Sequence, residues 1–169
     1  HIDDCLLSAM SPEVVTMLIE KMDKEYGSRD PLSVTRGKVH EYLGQTIDFR
    51  VPGEVYFSQY DFIKKLYMSL PEDMKGACRA TPAPEDLFKV DSTSPELSYD
   101  RKSEYHTITA KTLWVSQRSR PDIQLATGFH CTRVQNPTEQ DWKKLKQLMG
   151  YLWGTRFIPL IIKQDGKAT

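Results

Sequence analysis

One segment near the C-terminal end strongly constrains the fold, because its start, its apolar stripe and its stop all predict one helix. Asn136-Pro137-Thr138-Glu139 combines a capping side chain, a proline suited to the first turn and a glutamate placed for a capping box. Gly154 marks the end. Apolar side chains between these signals share one arc of the predicted helix: Trp142, Leu145, Leu148, Met149, Leu152 and Trp153. The chain must therefore bury one face of a long amphipathic helix.

Two more helices are predicted in the first 70 residues. The first begins at Ser11-Pro12-Glu13, where a hydroxyl cap precedes a proline and an acidic residue, and it ends at Gly27. The second is capped by Ser58 and runs to about Leu70, because Pro71 stops it.

Strand signals are weaker and fall between the helices. Residues 39–49 alternate imperfectly between apolar and polar side chains and predict one strand. Residues 51–54 predict a turn and residues 55–57 a returning strand, which together make a hairpin. Two acidic residues inside the apolar stretch 1–10 indicate another hairpin, with Asp3 and Asp4 at its bend. Residues 158–163 predict a strand without partners, so the fold class is α+β.

Residues 71–104 differ in composition from the rest of the chain. They contain four prolines and many acidic residues and serines, but few periodic apolar positions. A structureless stretch of this length is uncommon inside one compact domain. We therefore expect it to separate residues 1–70 from a helical unit at 105–155, with a short connection at 156–169. Within the helical unit, helices are predicted from Tyr105 to about Ser119 and from Pro121 to about Val134.

The formal net charge of zero conceals two unlike parts. Residues 1–100 carry 11 basic and 18 acidic side chains, a net charge of −7, whereas residues 101–169 carry 12 and 5, a net charge of +7. A basic half points to an anionic partner, and two surfaces of opposite sign that dock on each other are the alternative. No apolar run is long enough to span a membrane. Three widely spaced cysteines favour free thiols in a reducing compartment.

Adjacent carboxylates at a hairpin bend suit a hard cation. Mg²⁺ prefers oxygen ligands and takes one or two protein carboxylates together with substrate phosphates. Asp3 and Asp4 are therefore candidate metal ligands. The pair alone is weak support, because aspartate also favours turns for local hydrogen bonding.

A series of short motifs occurs in a fixed order along nearly the whole chain. The motifs are Ile2-Asp3-Asp4, Tyr42-Leu43-Gly44, Gln59-x-x-Phe62-Ile63-x-x-Leu66, Thr81-Pro82, Tyr105, Arg120-Pro121-Asp122-Ile123, Asn136-Pro137-Thr138, Trp142 and Tyr151-Leu152-x-Gly154-Thr155. The ordered set resembles the copia-type (pseudoviral) LTR retrotransposon polyprotein, from its reverse transcriptase active site to the start of ribonuclease H. The sequence departs from the family pattern at His1, usually tyrosine, at Ala110, usually glycine, and at Trp153, where lysine is common.

The resemblance implies an architecture. Residues 1–70 would be the C-terminal part of the reverse transcriptase palm, 71–104 an extended linker, 105–155 the helical thumb, and 156–169 the connection to a truncated ribonuclease H domain. Asp3 and Asp4 would be catalytic carboxylates that bind Mg²⁺. The hairpin residues Leu43, Gly44 and Gln45 would form the primer grip, and a simple hairpin bulge is the alternative.

The thumb would hold a nucleic-acid duplex through its phosphates, which positions the duplex without reading its sequence. Residues 105–155 carry 7 basic and 3 acidic side chains. The candidate phosphate contacts are Lys143, Lys146, Lys144, Lys111, Arg118 and Arg133, and a solvated lysine face is the alternative. Arg120 and Asp122 are predicted to form an N-terminal cap and an ion pair at a helix start rather than a contact with nucleic acid.

The family's activity is RNA-directed DNA polymerisation, in which two Mg²⁺ ions drive attack of a primer 3′-hydroxyl on a nucleoside triphosphate. The implied partners are a template–primer duplex, dNTP and the remainder of the polyprotein, in cytoplasmic virus-like particles with nuclear access for integration. The family's first catalytic aspartate lies upstream of His1, so we expect this chain to be inactive alone. A non-catalytic nucleic-acid-binding module and an inactive remnant are the alternatives.

Overall fold

The structure, a computed structural model, describes residues 5–28 and 30–165. Its helices are α1 (Pro12–Tyr26), α2 (Tyr60–Met68), α3 (Tyr99–Arg118), α4 (Gln124–Arg133) and α5 (Glu139–Gly154), and a 3₁₀ turn at Pro121–Ile123 leads into α4. Its strands are β1 (Val39–Tyr42), β2 (Gln45–Asp48), β3 (Glu54–Ser58) and β4 (Leu160–Lys163). The chain is therefore α+β, as predicted. Asp3 and Asp4 lie outside the described residues.

The four strands form one antiparallel sheet in the order β1-β2-β3-β4. His40, Ile47, Phe57 and Leu160 pair across the sheet in one row, and Ile47 is buried. The prediction that residues 158–163 lack a partner is wrong, because β4 pairs with β3 over its whole length. The chain returns to the free edge of β3 only after α5. Because the two strands are far apart in the sequence, no local sequence pattern indicates that they pair.

Residues 39–49 are not one strand, as the alternation predicted, but two strands joined by a tight turn. Leu43 and Gly44 make this turn with φ angles of +50° and +71°. Two consecutive left-handed residues give a two-residue turn whose twist matches that of the strands. The usual Asn-Gly signature of such a turn is absent, which is why the sequence pattern did not reveal it.

The start of α5 lies two residues later than predicted. Thr138 is the N-cap, its Oγ1 accepts from the backbone N–H of Asp141, and the Asp141 carboxylate accepts from the Thr138 N–H. The expected cap at Asn136 is lost because the preceding segment is held extended against the linker. The N–H of Leu97 donates to the Pro137 carbonyl, and the N–H of Glu139 donates to the Pro95 carbonyl.

The hydrophobic core continues across the expected boundary at 71–104. The α2 side chains Ile63, Leu66 and Leu70 pack in the same cluster as the apolar arc of α5, of which Trp142 to Leu152 are buried as predicted and Trp153 is half-buried. The linker itself contributes three buried side chains to this cluster: Met74, Leu87 and Leu97. The linker therefore packs as part of the core. None of the described helices is long and apolar enough to cross a membrane.

Residues 73–81, here called the strap, cross the α5 face that carries Lys146, one of the predicted phosphate contacts. Lys146 Nζ donates to the Asp73 carbonyl at 2.5 Å, and Gln147 Nε2 donates to Thr81 Oγ1 at 3.2 Å. Between these anchors the strap backbone lies directly over Gly150. A Cβ at Gly150 would lie 2.7 Å from the Ala77 carbonyl oxygen, so any larger residue would displace the strap.

A buried network fastens the end of α3 to the end of α5. The Arg120 side chain is 1% exposed, and its guanidinium donates to both oxygens of Asp122 and to the Thr155 carbonyl and hydroxyl at 2.6–2.9 Å. The Tyr151 hydroxyl also donates to Asp122. Burial opposes ionisation of Asp122, but these hydrogen bonds hold its pKa below the usual value. The predicted Arg120–Asp122 ion pair is confirmed, whereas no side chain caps the 3₁₀ turn that starts there.

His130 is buried and neutral. Its Nδ1 lies 2.7 Å from the hydroxyl of Tyr105, which is also buried. Burial lowers the pKa of His130 to about 4 and outweighs the opposing effect of the Asp141 carboxylate. Burial also raises the pKa of Tyr105. This side-chain pair is therefore uncharged near neutral pH.

Replacing Gly150 with alanine is expected to lower the free energy of unfolding by about 1–3 kcal/mol, because the new methyl group overlaps the strap backbone. The control is Gly128→Ala in α4, where no heavy atom lies within 4 Å of the added Cβ. That substitution is expected to stabilise by about 0.5–1 kcal/mol, because alanine favours a helix over glycine. Urea denaturation measures both, and stabilisation by both alanines would contradict the packing of the strap.

The stability of the protein is expected to fall by up to about 3 kcal/mol as the pH decreases from 6.5 to 4. In this window the unfolded chain binds a proton at His130 that the folded protein excludes, since the folded pKa is about 4 against an ordinary 6.5. Urea denaturation across the window should show a shallower pH dependence for His130→Asn. The control, His106→Asn on an exposed face of α3, should retain the wild-type slope, and equal slopes for all three proteins would refute the prediction.

Candidate nucleic-acid interface

The predicted primer-grip residues form the tip of the β1–β2 hairpin. Gly44 is exposed, and a Cβ added there would meet no heavy atom within 4 Å. Leu43 is the one non-glycine residue with a positive φ among the residues that the structure describes. A left-handed leucine costs about 1–2 kcal/mol, so the turn places an energetically unfavourable residue at an accessible tip. Such sites often carry function.

Gln45 attaches this tip to the helical part of the molecule. Its side chain is 5% exposed, and Nε2 donates to the Arg118 carbonyl at 3.0 Å. One residue further along, Ser119 Oγ donates to the buried side chain of Gln59 at 2.8 Å. The hairpin tip is therefore fixed against the C-terminal end of α3.

A row of three half-buried side chains leads along α3 to the same point. Lys111, Trp114 and Arg118 are spaced by three and four residues, which places them on one helix face. The Arg118 guanidinium lies 4.4 Å from the centre of the Trp114 ring. Within the described part of the chain, no carboxylate pairs with Lys111 or Arg118. The row therefore carries two uncompensated charges about 10 Å apart along the helix axis.

The α5 lysines occupy three different environments. Lys144 is buried, and its Nζ donates to the carbonyls of Leu87 and Lys89 at 2.8 and 2.6 Å. It therefore lies inside the molecule, contrary to its predicted place on an accessible lysine face, because the linker covers that side of the helix. Lys146 is held by the strap. Lys143 is exposed and makes no hydrogen bond or ion pair with any described residue.

Arg133 is also engaged within the fold. Its Nε lies 3.2 Å from a carboxylate oxygen of Asp141, which is fully buried and caps α5. The structure thus connects the hairpin tip to the end of α3 at Arg118, and Lys111 lies about two turns earlier on the same row of that helix. It places the other four candidates on α4 and α5, where Lys144, Lys146 and Arg133 are engaged within the fold and Lys143 is exposed.

The predicted Mg²⁺ site lies outside the described residues, since both Asp3 and Asp4 do. Among residues 5–28 and 30–165, no three histidine, cysteine, aspartate or glutamate side chains are grouped so that they could hold a metal ion. The metal site stays a prediction.

The anchoring role of Gln45 was not found from the sequence. It was predicted as a primer-grip residue beside Leu43 and Gly44, but its side chain faces inward and binds a helix end. A polar residue directly after a tight turn, on the buried side of a strand, is the signal that could have indicated this role.

Comparison with known proteins gives two curated relatives. One is the uncharacterized mitochondrial protein AtMg00810 of Arabidopsis thaliana, which is 28% identical over 168 residues, covering 99% of this chain and 65% of that protein. The other is a Saccharomyces cerevisiae protein, YCL074W, named for the transposon Ty5-1; it is 26% identical over 156 residues, covering 92% of this chain and 48% of that protein. The chain therefore spans about two thirds or less of these relatives. No protein-family model and no solved structure matches it.

Substitutions at Gly44 should separate backbone strain from packing. Gly44→Val is expected to destabilise the protein by about 1–2 kcal/mol, because valine disfavours positive φ, although no neighbouring atom obstructs its Cβ. Gly44→Asn should cost less than about 1 kcal/mol, because asparagine tolerates the left-handed region. Urea denaturation gives both values, and equal losses would show that the turn is not left-handed.

Proposed function

We propose that this chain is part of a retrotransposon-derived polyprotein and forms the portion of a copia-type reverse transcriptase that runs from the Asp3-Asp4 pair through the thumb. Two observations of different kinds support the proposal. The ordered motifs extend over nearly the whole chain. Similarity to the protein named for transposon Ty5-1 also extends over 92% of the chain.

The main structural support for the proposal is the hydrogen bond from Gln45 to the Arg118 carbonyl. It joins an exposed left-handed turn to a basic row that lacks acidic partners. A glycine at a tip allows a backbone or sugar to approach closely. Arginine and lysine along one helix face bind successive phosphates without reading bases. This surface is therefore suited to hold a template–primer duplex.

Asp3 and Asp4 are proposed to bind Mg²⁺ together with a carboxylate from outside this chain. Mg²⁺ held there would act as the Lewis acid for nucleotidyl transfer from dNTP to the primer. The contribution of the described residues is to bind and position the duplex. Residence in virus-like particles, with access to the nucleus for integration, is part of the same proposal.

A non-catalytic nucleic-acid-binding module is the second candidate. The hairpin tip and the α3 row favour it equally, because duplex binding at this surface does not require the carboxylates. Primer extension by the parent polyprotein, lost in Asp3→Asn, separates the two candidates. Extension that persists undiminished in Asp3→Asn would contradict a catalytic role for this carboxylate.

Charge reversal on α3 tests the duplex-binding surface. Lys111→Glu combined with Arg118→Glu is expected to weaken binding of a fluorescent RNA–DNA duplex by at least about tenfold and to reduce the salt slope by roughly two. Fluorescence anisotropy over a salt series measures both quantities. The control is Lys21→Glu combined with Lys24→Glu, which reverses two charges on one face of α1. An equal effect of both double variants, or no duplex binding by the unmodified chain, would overturn the proposed surface.

A further inference from the structure

Five side chains form a stacked column between α2 and the C-terminal end of α5. The Tyr67 and Trp153 rings are 4.3 Å apart between centroids and nearly parallel. The Arg156 guanidinium follows, with Cζ 4.0 Å from the Trp153 ring centre and 4.3 Å from that of Phe157. Phe157 in turn stacks on Tyr60 at 5.0 Å. We call these five residues the aromatic column.

The column is built on rigid supports. Tyr60 and Tyr67 are seven residues apart in α2 and therefore share a face, with Lys64 between them on the same row. The Tyr67 hydroxyl donates to the Gly76 carbonyl at 3.1 Å and accepts from the Gly76 N–H at 3.2 Å, which ties this end to the strap. The other side chains follow directly from α5. The column is thus ordered before any ligand arrives.

Arg156 carries a charge that the fold does not neutralise. It forms no ion pair with any carboxylate of the described residues. Nη1 donates to the Trp153 carbonyl at 2.7 Å, whereas Nε is buried and has no hydrogen-bond partner there. The two aromatic rings hold the guanidinium plane, so its remaining donors have a fixed direction. A planar, preorganised and uncompensated guanidinium suits an oxyanion such as a phosphate.

The end of the column formed by Phe157 and Tyr60 reaches the protein surface. Phe157 is 63% exposed although it contacts both Arg156 and Tyr60, and the adjacent Ile158 is 52% exposed. Burial in the hydrophobic core therefore does not explain the position of the Phe157 ring. Phe157 thus keeps exposed aromatic surface beside a cation, and nucleobases in single-strand-binding proteins lie against aromatic side chains of this kind, where each base–aromatic contact contributes substantially to affinity.

We propose that the aromatic column binds single-stranded nucleic acid, with a phosphate at Arg156 and a base stacked at Phe157. The choice of nucleic acid as the ligand rests on the proposed function. A single strand is favoured over a duplex because bases within a helix have no free face for stacking. This site is separate from the α3 row and the hairpin tip. It would hold a single-stranded stretch of the template or of the extended product.

The test uses the full 169-residue chain and a fluorescein-labelled 12-nucleotide oligo(U) in anisotropy titrations. Phe157→Ala and Arg156→Gln are each expected to weaken binding by about tenfold. Arg156→Lys should bind more weakly than wild type, because lysine keeps the charge but not the planar stack. The oligonucleotide should quench tryptophan fluorescence in the wild-type protein, and loss of this quenching in Phe157→Ala would support binding of a base at the column.

Two matched controls distinguish the column from general surface effects. Phe88→Ala removes an aromatic side chain of similar exposure, 64%, from the linker. Arg50→Gln removes an exposed arginine beyond β2. Both should bind oligo(U) within about twofold of wild type. Urea denaturation of each variant checks folding, and Phe157→Leu replaces Phe157→Ala if the alanine variant is unfolded, since leucine fills the site without an aromatic face.

Competition experiments identify what is recognised. Inorganic phosphate and uridine monophosphate should compete weakly, whereas unlabelled oligo(U) should compete fully, because stacking and phosphate contacts act together. Wild-type affinity in the Phe157 and Arg156 variants, or equal competition by a blunt duplex, would overturn the proposal. If those variants are unaffected while charge reversal on α3 abolishes duplex binding, this inference fails and the proposed function stands. Absence of all nucleic-acid binding by the unmodified chain would refute both.

Discussion

The close approach of the strap to α5 determines which basic side chains of this protein can reach a ligand. It is possible only because Gly150 has no side chain where the Ala77 carbonyl passes. Lys146 donates a hydrogen bond to the strap backbone. A backbone carbonyl of the linker residues that follow the strap accepts a hydrogen bond from Lys144. Two of the three lysines on this helix are thereby engaged within the fold, whereas Lys143 stays exposed, and Lys111, Arg118 and Arg156 carry charges without an ion pair among the described residues.

Two hydrogen-bonded contacts connect the ends of the helices, one to the sheet and one to each other. Gln45 holds the hairpin tip against the end of α3, and Arg120 connects the turn after α3 to Thr155 at the end of α5. Beyond Thr155 the chain enters β4, which completes the sheet beside β3. The hairpin tip and the α3 row are therefore positioned by buried hydrogen bonds rather than by surface ion pairs.

Features that depend on neighbouring residues could be predicted from the sequence. The bounds of α1 and the buried arc of α5 follow from caps, prolines and helical periodicity. Features that depend on contacts between distant parts of the chain could not be predicted from the sequence. The linker shifts the α5 cap to Thr138, and β4 finds its partner a hundred residues earlier in the chain. Leu43 occupies a turn position that asparagine normally fills, and a helical wheel could not show that Lys144 faces the linker.

Backbone amide chemical shifts of the ¹⁵N-labelled chain, recorded during titration with a template–primer duplex, most directly test whether the hairpin tip and α3 form one nucleic-acid surface. We expect the amides of Leu43 and Gly44 to shift together with those near Lys111 and Arg118, with a common midpoint that rises with salt. Shifts confined to α5 around Lys143, with the tip and the α3 row unchanged, would contradict this surface.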